Sequence, residues 1–240
     1  MSRKLEETCE QCGGTGWVLV ERESRVVGVV CSCRMNRALE ALLREAHIPE
    51  RFRHCTLEGF KLWNPKDPTL GQAKRRTREF VEAFPLVQKG LLFMGRCGTG
   101  KTHLAVAALA ELIRRHRIRG LYVNFTDLVM QLQMSFDGSG PSRAEILEPV
   151  ASADLLVLDE LGAARPTPWV MDILYYVLNT RYMTKRLTLC TTNYTDSAER
   201  GEETLADRLS VPVRSRLYEM CEEVRLLGDD FREHAARRRW

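Results

Sequence analysis

Apolar residues along this chain alternate between two rhythms. GLLFMG (residues 90–95) and ADLLVLDE (153–160) are apolar runs without polar alternation, as expected of strands covered on both faces. KTHLAVAALAELIRRH (101–116) instead reads as a helix, with Ala105, Ala107, Ala108 and Ala110 small enough for close packing. The rhythm then repeats. GLYVNF (120–125) reads as a strand, and TDLVMQLQMSF (126–136) as a helix with Thr126 or Asp127 as N-cap. DGSGPS (137–142) is a loop and Arg143–Val150 a short helix. PWVMDILYYVLNTRYMTK (168–185) is a helix and RLTLCTTN (186–193) a strand. Such alternation predicts an α/β fold, a parallel sheet with helices on both faces. Upstream, RMNRALEALLREAH (34–47) carries Met35, Leu39, Leu42, Leu43 and Ala46 at helical spacing. AKRRTREFVEAFP (73–85) is a basic amphipathic helix closed by Pro85. A linker with three prolines joins the two, and its Phe60 and Trp63 are expected to clamp it to the main domain.

Composition narrows the class. The chain has 240 residues, 44% hydrophobic and 28% charged, with a net charge of +4, which suits one large globular domain with a small appendage. The mild positive charge is compatible with nucleic acid without requiring it. No apolar run could span a bilayer, so no membrane partner is expected. MSRKLEETCEQ lacks the apolar stretch of a secretory signal, and the expected compartment is the cytoplasm. The eight cysteines there should be reduced. Four of them cluster: Cys9 and Cys12 form C-x2-C, and Cys31 and Cys33 form C-x-C after 18 intervening residues. Two thiolate pairs on separate turns are what a tetrahedral Zn²⁺ site requires. WVLVERESRVVGVVC between them reads as strands Trp17–Glu21 and Val26–Val30 with a turn near Glu23–Arg25, a zinc ribbon or knuckle. The alternative is a reduced, metal-free hairpin, but so short a piece cannot bury a core of its own.

The strongest chemical signal is GRCGTGKT, which matches G-x-x-x-x-G-K-[ST] between a buried strand and a helix. Gly95, Arg96, Cys97, Gly98, Thr99 and Gly100 would curl their backbone N–H groups around the phosphates of ATP, at the positive end of a helix. Lys101 would reach the β- and γ-phosphates and Thr102 would coordinate Mg²⁺. LLVLDE then puts Asp159 at a strand tip to hold the Mg²⁺ shell and Glu160 beside it to polarise a water. That pairing fits hydrolysis better than transfer to a small molecule. The strand and helix at 121–136 separate these two motifs in sequence and leave room for an additional strand in the sheet. Asn193, ending LCTTN, would orient the water. His103 reads as a packing residue. Lys74–Arg78 and Arg114–Arg119 read as solvated basic faces, and RRRW (237–240) as a disordered tail.

IPERF, GLLFMGRCGTGKTHLAVA, ADLLVLDELG, LCTTNY, VRSRLYEMC and LGDDFR, spread from Ile48 to Arg232, carry a resemblance. The chain resembles the AAA+ ATPases, and within them the DnaC/DnaI-type replicative helicase loaders and the related IstB-type transposition helpers. The resemblance implies a P-loop NTPase three-layer fold of the additional-strand division, without a large helical lid. It implies ATP bound between self-associated subunits, with Arg216 of SRL reaching a neighbour's γ-phosphate and Arg232 of GDDFR reading the nucleotide. A second arginine common four residues before Arg216 is replaced by Pro212, with Arg208 and Arg214 nearby. It further implies an N-terminal module that grips a hexameric replicative DNA helicase and a core that binds single-stranded DNA. The helix pair Thr126–Val150 lies where initiator-type relatives carry an insertion that shapes a spiral. The expected organisation is a zinc module at 1–34, a helix and linker at 35–70 and an AAA+ ATPase domain at 71–240. Three functions compete: a loader, a transposition helper on duplex DNA, and a small-molecule kinase, against which Glu160, Asn193 and Arg216 count.

Overall fold

A computed structural model describes residues 9–23, 25–137, 140–196 and 203–237. Residues 238–240 of the expected tail and part of the loop at 137–142 lie outside these residues, as does Ser24 of the expected hairpin turn, while Arg237, expected in the tail, ends a helix. In chain order the elements begin with an antiparallel hairpin, β1 (Trp17–Arg22) and β2 (Arg25–Val30), followed by α1 (Ser32–Glu45) and α2 (Pro68–Ala83). The core continues as β3 (Gly90–Met94), α3 (Lys101–His116), β4 (Gly120–Asn124), α4 (Phe125–Met134), α5 (Arg143–Ser152) and β5 (Leu155–Asp159). It closes with α6 (Pro168–Met183), β6 (Leu187–Thr192), α7 (Leu205–Arg208), α8 (Val211–Met220), β7 (Cys221–Arg225) and α9 (Phe231–Arg237).

The sheet is parallel throughout, in the order β4-β5-β6-β3-β7. Successive residues of a strand point to opposite faces. Leu91 and Phe93 of β3 accordingly join one core with α2, α3 and the linker, while Leu92 and Met94 join a second core with α4, α5, α6 and α8. Both faces are covered, which explains the runs without polar alternation. The strand that separates the two motifs in sequence, β4, lies at the sheet edge. The strand between them in space is β6, so the end of β6 stands between the P-loop and Asp159. β7 was not anticipated. It is an outer strand paired only with β3, and its exposed Glu222, Glu223 and Arg225 hide it from a hydrophobicity reading.

Three helix starts differ from expectation. Helix α2 begins at Pro68 rather than 73, because Asp67 caps it by accepting the Thr69 N–H and Pro68 suits a first helical position. Helix α4 begins directly at the end of β4, so its N-cap is Asn124 rather than Thr126 or Asp127, and the Asn124 side chain accepts both their N–H groups. Helix α1 begins at Ser32, ahead of the boundary expected at 34–35, with Cys31 as its N-cap. Leu39, Leu42 and Leu43 of α1 pack on the core, and the Ala46 carbonyl beyond its end accepts the Tyr122 N–H of β4 at 2.8 Å. The linker is clamped as expected: Phe60 is buried and Trp63 stacks on His234 of α9 at 4.8 Å. Arg181, at the end of α6, is fully buried. Its guanidinium donates to Val150, Ala151, Ala153 and Leu187 carbonyls and to the Thr188 hydroxyl, and burial pushes its pKa down to about 10. It thereby closes the carbonyl end of α5, where a cation suits the helix dipole.

Candidate functional site

The P-loop leaves the end of β3 and turns straight into α3. Its path needs glycine. At Gly95, with φ +146°, a Cβ would stand 1.8 Å from the Leu226 carbonyl oxygen; at Gly100, with φ +101°, it would stand 2.5 Å from the Phe60 ring. Lys101 is buried, and its ammonium donates to the Gly95 and Arg96 carbonyls at 2.7 Å each. Burial pushes its pKa down to about 8; Cys97, Asp159 and Glu160 pull it up and Arg232 pulls it down. A buried ammonium at the N-terminus of a 16-residue helix, in a loop that any side chain would fill, suits a polyphosphate. Thr99 closes the loop by donating to the Arg96 carbonyl at 3.0 Å.

Asp159 ends β5 almost fully buried, and three hydroxyls converge on it. Thr102 and Thr191 donate to Oδ1 at 2.9 and 2.5 Å, and Tyr122 donates to Oδ2 at 2.6 Å. Burial and the neighbouring Asp159 hold the Tyr122 hydroxyl well above the usual phenol range, so it stays a donor. The Thr102–Asp159 pair matches what a Mg²⁺ shell at a P-loop requires. Glu160 follows with φ +58°, a left-handed conformation costing on the order of 1 kcal/mol for a residue of this kind. Its N–H donates to the Thr191 hydroxyl at 3.0 Å, and its Oε2 accepts from the Asn124 amide at 2.9 Å. Asn124 has no choice of orientation. Its carbonyl oxygen is committed to capping α4, so its NH₂ faces Glu160.

Asn193, just beyond β6, and Arg232, in α9, line a cavity of about 500 Å³ together with Lys101, Thr102 and Glu160. Cys97, Gly98, Thr99 and Gly100 line it as well, and the linker residues Phe52, Phe60 and Trp63 form an apolar wall. His103 packs, as expected: its Nε2 lies 2.8 Å from the Thr56 carbonyl and its ring meets Phe60 edge-on. Arg216 is elsewhere. It projects from α8 onto α6, donating to Asn179 Oδ1 at 3.0 Å with its guanidinium 4.7 Å from the Tyr175 ring. Arg214 is held by Asp196 through two bonds of 3.0 and 2.7 Å. Arg208 is held by the Gly162 and Ala163 carbonyls and by Glu203. Both arginines near Pro212 are thus engaged within their own chain.

At the other end of the chain, the sulfurs of Cys9, Cys12, Cys31 and Cys33 all lie within 4.8 Å of one another. Cys9 and Cys31 stand 3.8 Å apart and Cys12 and Cys33 3.4 Å apart. Four sulfurs about 2.3 Å from a central zinc would be ~3.8 Å apart, so the set fits that ion. The Gly16 N–H on its sulfur holds the Cys12 thiol down at about 6, which favours the thiolate a metal needs. Cys31 and Cys33 sit at the start of α1, and the hydrogen bond with Cys12, with burial, pushes the Cys33 thiol up to about 11.

Sequence reasoning missed Tyr122, Asn124 and Thr191. Each is an ordinary polar or aromatic residue of a strand, and only the order of strands brings it to the carboxylates. The polar end of GLYVN was the one available signal.

Comparison with known proteins gives the family of the chain. The IstB-like ATP binding protein family matches residues 1–239. The phage-like element PBSX protein XkdC of Bacillus subtilis (strain 168) is 28% identical over 225 residues, covering 90% of this chain and 80% of that protein. The replicative helicase loader DnaC of Escherichia coli (strain K12) is 29% identical over 164 residues, covering 67% of this chain and 64% of its own length. A crystal structure of the DnaC helicase loader superposes with a TM-score of 0.64 and 33% identity, covering 74% of this chain and 99% of that one. No helix among the described residues is long and apolar enough to cross a membrane. With its P-loop, its Asp–Glu strand end and the β6 strand between them, the chain belongs to the IstB-like ATP-binding protein family, as an AAA+ ATPase of the DnaC/IstB type.

Proposed function

We propose that this protein is an ATP-hydrolysing helicase loader, which places a hexameric replicative DNA helicase on single-stranded DNA and completes its active site with a neighbouring copy. One observation carries the reading. Lys101, Thr102, Glu160, Asn193 and Arg232 share one cavity, with Asp159 bonded to Thr102 at its base, whereas Arg216 occupies another face. In this reading the P-loop N–H groups and Lys101 hold the β- and γ-phosphates, and Arg232 holds the nucleotide from α9. Mg²⁺, when bound beside Thr102 and Asp159, supplies positive charge to the phosphate oxygens. Glu160 takes a proton from a water that Asn193 orients; the water oxygen bonds to the γ-phosphorus as the bridging β–γ bond breaks. Arg216 of a neighbour meets the charge gathering on the transferring group, for which a planar guanidinium is suited. Asn124 restrains Glu160 until the carboxylate turns toward the cavity.

The remaining organisation follows. Cys9, Cys12, Cys31 and Cys33 are the ligands of an N-terminal zinc module, α1 and the linker follow it, and the ATPase domain begins with α2 at Pro68 rather than at 71. The module and α1 grip the helicase, and the core binds single-stranded DNA. DnaC is named as a replicative helicase loader, and 99% of its crystallised chain aligns here, which supports the loader reading. The test is co-purification with a helicase hexamer, together with ATP turnover that changes on adding single-stranded DNA. A chain that binds no helicase and ignores single strands contradicts it. The match of the IstB-like family to residues 1–239, cysteine module included, favours a second reading, a transposition helper. Rings or filaments on duplex DNA and stimulation of a transposase would select that one.

A further inference from the structure

The Asp159 carboxylate is fixed on both oxygens by different parts of the fold. Thr102 of the P-loop and Thr191 of β6 donate to Oδ1. The only hydroxyl donating to Oδ2 among the described residues is that of Tyr122, from the edge strand β4. The register pairs Asn124 with Asp159 and Tyr122 with Val157, so the phenol leans two residues along the sheet to reach the carboxylate. Tyr122 is itself immobilised. Its ring is 7% exposed in the core beneath the linker, and its N–H is bonded to the Ala46 carbonyl. Rotation about the Cβ–Cγ bond moves both oxygens together, so Tyr122 resists it from the Oδ2 side as Thr102 and Thr191 do from the Oδ1 side. Thr102 is the residue expected to meet Mg²⁺, so the Oδ1 direction sets where the Thr102 hydroxyl points.

We propose that Tyr122 is a positioning residue for the magnesium site: its hydroxyl locks the rotation of the Asp159 carboxylate so that Oδ1 stays aligned with Thr102. This rests on the reading of Asp159 as the aspartate of the Mg²⁺ shell. Tyr122 is not among the residues lining the cavity and acts through Asp159. Partners that orient a metal-holding carboxylate typically change metal affinity by about 10–100-fold when removed. Tyr122→Phe keeps the ring and its packing and removes only the oxygen.

The experiment measures binding of a fluorescent ATP analogue to the full chain as Mg²⁺ is added, with direct Mn²⁺ binding by electron paramagnetic resonance as a readout independent of turnover. Wild type, Tyr122→Phe and Asp159→Asn are compared. Tyr122→Phe is expected to raise the Mg²⁺ concentration for half-maximal effect roughly tenfold and to weaken Mn²⁺ binding alike. Analogue binding in EDTA should stay at the wild-type level, which a general loss of structure would not leave intact. Replacing Tyr122 by 3-fluorotyrosine, which keeps the hydroxyl, should restore the Mg²⁺ response. An unchanged Mg²⁺ response in Tyr122→Phe, alongside a lost one in Asp159→Asn, overturns the role of Tyr122 and leaves the site. A wild-type Mg²⁺ response in Asp159→Asn overturns the site reading and this inference with it.

Discussion

The cysteine module and the P-loop both gather groups suited to a cation, and opposite forces hold them. Every residue of β3 and β5 is buried, so the sheet would hold Lys101 and Asp159 in place without a ligand. The hairpin of β1 and β2 buries none of its residues, and Leu19 and Val26 are 73% and 68% exposed. Among the described residues of the module, only Cys12, Gly16 and Cys31 are buried. A core organises one site. The other has no such core, and its four sulfurs stand where a metal ion would fit.

The largest expected effect comes from removing the metal. Structural zinc contributes about 10–16 kcal/mol in small zinc domains, so chelation or Cys12→Ser should unfold the hairpin. Amides of Trp17–Val30 should then exchange freely while those of β3 and β5 keep their protection. Equal loss in both regions would erase the distinction. The converse perturbation is Arg181→Met, which strips hydrogen bonds from two buried and two part-buried carbonyls and from a buried hydroxyl. It should lower core stability in urea by about 3–5 kcal/mol and leave metal content unchanged.

Lys101 gives a smaller, pH-dependent effect. Its folded pKa, about 8, lies below the ordinary 10.5, so between those values the unfolded chain binds more protons. Stability without nucleotide should therefore rise with pH across that window. ATP affinity should do the reverse, falling above pH 8 by up to about tenfold per unit as the ammonium is lost. Titrations at pH 7 and 9 read both. Smallest is Asn124→Ser, which keeps an acceptor for the α4 cap and is too short to reach Glu160. Basal ATP turnover should rise by a factor of about 5, the scale of one hydrogen bond of ~1 kcal/mol.

Both regions were legible in sequence to the extent that their chemistry is local. The P-loop and the C-x2-C pair are fixed spacings along one stretch of backbone, and unbroken apolar runs marked β3 and β5. What depended on strand order was hidden. Asn124 and Tyr122 are adjacent to Asp159 only because β4 pairs with β5. Arg181 carried no signal of burial in sequence, since its burial follows from α5 and β6 closing over it. β7 was masked by the charges an edge strand tolerates.

The central claim is an active site shared between copies, since Arg216 lies away from the cavity that its own chain builds. Mixing Arg216→Ala with Lys101→Ala chains tests it most directly. Arg216→Ala alone should bind ATP without hydrolysing it, Lys101→Ala alone should do neither, and the mixture should recover part of the wild-type turnover. Wild-type hydrolysis by Arg216→Ala alone, or no recovery in a mixture that demonstrably co-assembles, would contradict the account.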